Sequence, residues 1–395
     1  MACIFLDHHS TTPLDPRVLA AMCEAPLGNA SSAHVYGKEA ARIVELARAD
    51  IAAAIGAQPG EIILLSGATE ADNLALKGVM EAQMARGLGL RHLVTCAIEH
   101  SAVLETARYL AAERGCRLTI LPVSPDGLVD PAAVAAAIAP DTALVSIMAV
   151  NNEVGTVQPV AEIGRICREK GVLYHSDACQ AVGKVPFDVI SMDVDLASLS
   201  GHKIYALPGV GALYVRQGTP LAKQMHGGTH EGGRRAGTTA VCSIIGFGVA
   251  CQILQVEGPA EVARIAALRD RLLAILRAGL PPAVLHVNGT MEPGRRHPGN
   301  LNVTLVGVCS EALDKAIRNF VAVSASSACK SQVPGAGSHV LTAMGAPDSD
   351  KGAVIRFGIG RFNTPDEIEA VGRKIVEAAV PLVGIGCAIP RRARK

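Results

Sequence analysis

The chain has 395 residues, 49% of them hydrophobic, enough to bury one large core and a smaller second one. Lys+Arg 37 against Asp+Glu 36 leaves a formal net charge of +1, which argues against a nucleic-acid partner held by bulk electrostatics. The most hydrophobic late run, 380–390, is too short for a bilayer and is broken by Pro381, and no secretory leader precedes Asp7-His8-His9.

The expected protein is soluble and cytoplasmic, with no membrane partner. Its eleven cysteines are odd in number, scattered and never spaced Cys-x-x-Cys, so neither a disulfide framework nor a zinc site is expected. The basic tail Arg391-Arg392-Ala393-Arg394-Lys395 reads as a solvated terminus.

In chain order, a short extended arm at 4–6 runs into Asp7-His8-His9-Ser10-Thr11-Thr12-Pro13. Pro16 suits the first turn of a helix over 17–23. A helix over 38–55, with Ala41, Val44, Leu46, Ala49 and Ala53 on its apolar side, stops at Gly56. Strands at 61–65, 93–96, 117–121, 143–150 and 172–175 then alternate with helices reaching 84 and over 101–113, 131–138 and 159–169. Runs at 195–199 and 209–215 extend the sheet. This rhythm of strand and helix predicts a mostly parallel sheet covered on both faces.

A long helical stretch from about 239 is expected to break at Glu257-Gly258-Pro259. Beyond it Val262, Ile265, Leu268, Leu272 and Leu276 recur at helical spacing. Strands at 301–306 and 353–358 and helices at 310–320 and 365–379 complete a smaller α+β unit. The predicted division is a large domain over 13–257 and a small one formed by 1–12 and 258–395.

In an open parallel sheet, ligands sit beyond the carboxyl ends of the strands. Gly67-Ala68-Thr69 lies between a strand and a helix start, where backbone N–H groups and a hydroxyl can take a phosphate. Glu99-His100, Asn151-Asn152-Glu153, Asp177 with Gln180, and Ser200, His202 and Lys203 follow four further strands. Taken singly each is an ordinary cap or turn. Together they supply a lysine able to form an imine and a carboxylate able to hold a pyridinium nitrogen, which is what pyridoxal phosphate asks of a protein.

These clusters, with Gly232-Gly233-Arg234-Arg235-Ala236-Gly237-Thr238, Ser326-Ser327-Ala328-Cys329 and Ile355-Arg356-Phe357-Gly358-Ile359-Gly360-Arg361-Phe362, run in order over about residues 6–370. The series resembles that of the cysteine desulfurases of the NifS/IscS type. The resemblance implies an α/β fold, fold type I of the pyridoxal phosphate enzymes, and a homodimer. It also implies the roles of individual residues. Lys203 would bond the cofactor and move the α-proton, Asp177 would keep the ring nitrogen protonated, and His100 would stack on the ring. Gln180 and Asn152 would fix the ring oxygen and the substrate side. Ala68, Thr69, Ser200 and His202 would hold the phosphate, with Thr238 reaching the phosphate of the neighbouring subunit. Arg356, assisted by Asn29, would clamp the substrate carboxylate.

Cys329 would be the nucleophile, on a small-polar loop over about 324–338. It would take sulfur from L-cysteine as a persulfide, leave alanine, and deliver the sulfur to an acceptor protein for iron–sulfur assembly or for thiolation. No resident metal is expected, Cys329 serving at most as a transient iron–sulfur ligand. The sequence departs from the best-known members at Lys330, where they carry Thr or Ser, at Cys179, and in a short tail beyond 380 that puts scaffold docking in question. A selenocysteine lyase or another C–S lyase on the same fold is the nearest alternative. A non-catalytic interaction protein would be expected to lack the lysine or the cysteine, and both are present.

Overall fold

A computed structural model describes residues 3–325, 337–346 and 352–384. The arm strand β1 (Ile4–Phe5) precedes α1 (Pro16–Cys23) and α2 (Val35–Ala53). The alternating region follows as β2 (Ile62–Leu65), α3 (Ala68–Ala85), β3 (His92–Cys96), α4 (Ser101–Arg114), β4 (Arg117–Leu121) and α5 (Pro131–Ala137). It continues through β5 (Thr142–Ser146), α6 (Val160–Lys170), β6 (Leu173–Asp177), β7 (Leu196–Ser200) and β8 (Gly211–Val215). Then come α7 (Val241–Gly279), β9 (Leu285–Val287), β10 (Asn300–Val306), α8 (Ser310–Ile317), β11 (Val321–Ala322) and β12 (Ser324–Ala325). The last described elements are α9 (His339–Ala343), β13 (Gly352–Gly358) and α10 (Pro365–Ala379).

Seven strands form the central sheet in the order β2-β8-β7-β6-β5-β3-β4. β8 is antiparallel to both neighbours, and the other pairs are parallel. The sheet is buried on both faces, as its unbroken apolar strands require. Along β2, Ile62 and Leu64 join the core beneath α2 and α7, whereas Ile63 and Leu65 join the core beneath α3 and α4. That is the two-residue period of a strand serving two cores at once.

A second, antiparallel sheet runs β12-β13-β10-β9. Leu301, Val303 and Leu305 of β10 pack with Leu272, Leu276, Phe357, Ile368 and Ile375. The alternate residues are polar and turn the other way: Asn300 and Asn302 both donate to Glu153 O, at 3.0 Å each, across to the main sheet's loop. Asn302 is the register partner of Arg356, and so is Ser324. β1 pairs in parallel with β11, and Leu6 enters the second core.

Two expectations need correction. α7 does not break at Gly258-Pro259 but runs unbroken from Val241 to Gly279. Ile244, Phe247, Cys251 and Leu254 are held by the first core and Ile265, Leu268, Leu272 and Leu276 by the second. Burial at both ends outweighs the proline's lost hydrogen bond, which falls on an exposed face where water can replace it. This helix is apolar enough to cross a membrane by length and composition, yet 56% of its most apolar window is buried in the two cores.

The buried stripe of α2 is also rotated from the expected one. It runs through Ala40, Val44, Ala47 and Ile51, while Leu46 is 53% exposed. Val44 alone is common to the expected and observed buried stripes. Among the described residues eight cysteines are free, five of them buried, and Cys309 is disulfide-bonded.

Candidate active site

The carboxyl ends of the parallel strands open into one cavity of ≈ 470 Å³, a volume typical of small-molecule sites. It is lined by Ala68, Thr69, His100, Asn152, Asp177, Gln180, Ser200, His202 and Lys203, nine of the residues expected from sequence. Each arrives by its own turn. After β2, Gly67 takes φ 154 and starts α3 with no side-chain cap, so the first-turn N–H groups at Ala68 and Thr69 are free for an anion. Gly211 of β8 lets this turn approach, since a Cβ there would sit 2.6 Å from Gly67 Cα.

His100 caps α4, its Nδ1 accepting from Ala102 N at 3.2 Å. That acceptor role leaves the proton on Nε2, a donor. Asp177 ends β6 and accepts from Cys179 N at 3.0 Å. Ser200 ends β7, and its buried hydroxyl has no protein partner. A short turn over Gly201–Lys203 then brings Lys203 to the cavity wall.

Lys203 is not free there. Its ammonium donates to His9 O at 2.6 Å and to Ser10 O at 2.7 Å. Burial pulls its pKa below that of an ordinary lysine, and the positive charge of Arg356 pushes the same way. His202 Nδ1 lies 3.1 Å from Thr11 Oγ1, and its carbonyl accepts from Thr12 N at 2.9 Å. Gln180 Nε2 donates to His9 O at 3.0 Å, and Gln180 Oε1 lies 3.3 Å from His9 Nδ1. Residues 7–12 therefore lie over the lysine turn as a lid of backbone carbonyls. Sequence reasoning took this arm as packing alone; its signal was the polar run from Asp7 to Thr12 directly after an apolar strand.

Beneath the cavity lies a buried polar floor that sequence reasoning also missed. His175 is held between Ser146 Oγ at 2.8 Å and Ser198 Oγ at 3.0 Å, with Asp72 Oδ1 3.7 Å from its Nε2. Burial drives Asp72 well above the usual carboxylate range, and the charge on Asp177 adds to this. Burial likewise pushes Glu99 up to about 8, and its Oε1 accepts from Met148 N at 2.6 Å. Asp177, at the end of β6, is among the residues that line the cavity, as is Glu70.

Burial also lowers His175 to about 4. A histidine whose folded pKa lies below its unfolded one contributes stability that is complete above 6.5 and is lost as pH falls through 4. The difference is worth about 3 kcal/mol. The wild-type protein is therefore expected to lose about 3 kcal/mol more than His175→Gln between pH 7 and pH 4. Urea unfolding of both proteins across that range checks this, and parallel curves would refute it.

Arg356, on β13, stands beside the cavity. Its Nη1 donates to Asn152 O at 3.1 Å, and its Nη2 to Asp7 Oδ1 at 3.0 Å and Ser324 Oγ at 2.6 Å. Thr238 lies in an adjoining recess that shares Ser66, Gly209 and Val210 with the main cavity. Arg235 from the same segment donates to Glu70 at 2.9 Å, and Glu70 in turn accepts from Ser66 N at 2.7 Å. Asn29 sits in a separate loop, where its side chain accepts from Ser31 N. Cys329 and Lys330 lie outside the described residues. Among the described residues no group of three or more His, Cys, Asp or Glu could hold a metal ion.

The residues present fit pyridoxal phosphate. An uncapped helix start and an unpartnered Ser200 hydroxyl suit its phosphate, Asp177 its ring nitrogen and Lys203 its aldehyde. Fold and site thus define an α/β protein with a largely buried lysine in a cavity at the carboxyl ends of its parallel strands. The Aminotransferase class-V family matches residues 4–371, and the chain belongs to that family. Within it, the chain falls with the cysteine desulfurases of the NifS/IscS type. It is 49% identical over 372 residues to "Cysteine desulfurase IscS" of Anaeromyxobacter dehalogenans, covering 93% of this chain and 90% of that one. It is 43% identical over 380 residues to the Homo sapiens "Cysteine desulfurase", covering 95% and 81%. A solved "NIFS-LIKE PROTEIN" superposes with TM-score 0.86 at 35% identity, covering 95% and 99%.

Proposed function

We propose that this chain is a pyridoxal phosphate-dependent cysteine desulfurase that moves the sulfur of L-cysteine onto Cys329 and releases L-alanine. The observation that carries the reading is the meeting of Lys203, Asp177 and an uncapped helix start in one cavity, at the ends of three strands of one sheet. When bound, the cofactor supplies an electron sink for the α-carbon of an amino acid.

The chain's own residues do the rest. α3's first turn, with Thr69, Ser200 and His202, would hold the phosphate, and Asp177 would hold the proton on the ring nitrogen. His100, whose Nδ1 accepts from Ala102 N, would cover the ring with its Nε2 proton free, and Gln180, held by His9, would offer its remaining N–H to the ring oxygen. Lys203, with its pKa drawn down by burial, is suited to take the α-proton as a neutral amine. Arg356 and Asn152 receive the substrate carboxylate.

The Cys329 thiolate attacks the substrate sulfur. One S–S bond forms, one C–S bond breaks, and the carbon fragment takes up a proton as alanine. The family relation supports a homodimer in which Thr238 reaches across, a cytoplasmic enzyme, and a protein acceptor for the sulfur. The division into 13–257 and 1–12 with 258–395 belongs to the same reading.

Product analysis tests it. The purified protein, given L-cysteine without reductant, is expected to yield about one alanine per chain and a peptide carrying a persulfide at Cys329. Pyruvate and ammonia in place of alanine would mark an eliminating lyase and defeat the proposal.

A further inference from the structure

Arg356 already holds a carboxylate. Its Nη2 donates one hydrogen to Asp7 Oδ1 at 3.0 Å and the other to Ser324 Oγ at 2.6 Å, and Ser324 Oγ itself donates to Asp7 Oδ1 at 2.8 Å. Nη1 is spent in part on Asn152 O, while Nε is buried with no protein partner. Asp7 is the one acidic side chain in ion-pair contact with Arg356 among the described residues. With 10% and 19% of their side chains exposed, the two are only partly screened by water.

A carboxylate takes a guanidinium best through two neighbouring nitrogens at once. Both edges of the guanidinium that offer such a pair include Nη2, whose two hydrogens are taken. An incoming carboxylate must therefore displace a partner from Nη2. Asp7 is the partner able to yield, because the Ser324 hydroxyl remains as its donor. The newcomer also meets the negative charge of Asp7 beside a cation that Asp7 has already neutralised.

We propose that Asp7 is a specificity-determining residue: an internal carboxylate that seats Arg356 and competes with the substrate carboxylate for it. The inference rests on the reading that Arg356 receives the substrate. It makes binding weaker than a bare arginine would, and it disfavours ligands that offer a carboxylate without further contacts. Arm, substrate arginine and the strand leading toward the cysteine loop thereby meet in one polar cluster, Asp7, Ser324 and Arg356.

The test uses the full-length protein with cofactor bound. The probe is 3-mercaptopropionate, which has a carboxylate and a thiol but no amine, measured by equilibrium dialysis alongside KM and kcat for L-cysteine. Asp7→Asn keeps the shape and an acceptor oxygen while removing the charge. It is expected to bind the probe about tenfold more tightly, the scale of one like charge removed from a partly screened site. KM for cysteine should fall with it and kcat should not rise. In an Arg356→Gln background the same change should gain less than in the wild type, because no guanidinium is left to compete for.

Unchanged or weaker probe binding by a folded Asp7→Asn protein overturns the inference. If Arg356→Gln alone leaves both probe affinity and KM unchanged, the assignment of Arg356 fails and takes the inference with it. If Arg356→Gln weakens binding while Asp7→Asn does not tighten it, only the inference fails. Asp7→Ser is read in the same way should Asp7→Asn not fold.

Discussion

Lys203→Ala is expected to leave a folded protein that has no visible absorbance from bound cofactor and has lost about a thousandfold or more of its activity on L-cysteine. The side chain is held by two backbone carbonyls of the arm and, among the described residues, by nothing acidic within hydrogen-bond reach. Its burial disfavours the charged form, so the lysine is kept for its chemistry at some cost to the resting fold. Truncation removes a poorly solvated ammonium, and thermal unfolding of the cofactor-free variant should be no lower than that of the wild-type protein stripped of its cofactor. Absorbance, borohydride reduction and the unfolding curve together check the prediction. A variant that stayed yellow with a borohydride-reducible lysine linkage would sink the cofactor assignment. Loss of colour with a collapsed unfolding curve would mean that the lysine was structural.

Much of this site was legible because it obeys local rules. β3, β6 and β7 are short buried strands, and polar residues stand at or within a few positions of the end of each: Glu99-His100 after β3, Asp177 closing β6, and His202-Lys203 after β7. Glu99-His100, Asp177 and Lys203 therefore announced a common edge before any coordinates. What escaped is what depends on distance along the chain. Asp7 and Arg356 are separated by 349 positions, and no spacing rule links them. Asp72 and His175 lie inside apolar helical and strand patterns, where a lone polar residue reads as an interruption rather than as part of a floor. α7 deceived for the opposite reason. Gly258-Pro259 is a strong local stop, overridden because two cores hold the helix at both ends.

Cys329→Ser decides which enzyme of this fold the chain is, and it is expected to reduce sulfur release from L-cysteine by about a thousandfold or more. The reason is chemical. A serine hydroxyl is scarcely ionised near neutral pH, and even as an alkoxide it is a poor partner for a divalent sulfur, whereas a thiolate forms an S–S bond readily. The substitution leaves Lys203, Asp177 and His100 untouched, so the variant should keep its cofactor absorbance and still respond spectrally to L-cysteine. Activity lost with that binding step intact is the signature of a missing sulfur acceptor rather than a damaged site. The thiol that lines the cavity cannot substitute: Cys179 is buried beside Asp177, its pKa is driven up by that burial, and its Sγ is turned toward Ser198 O at 3.6 Å. Sulfide release at the wild-type rate by Cys329→Ser would therefore point to direct C–S cleavage in the cavity, with Lys203 and His100 moving the protons and no persulfide formed on the chain.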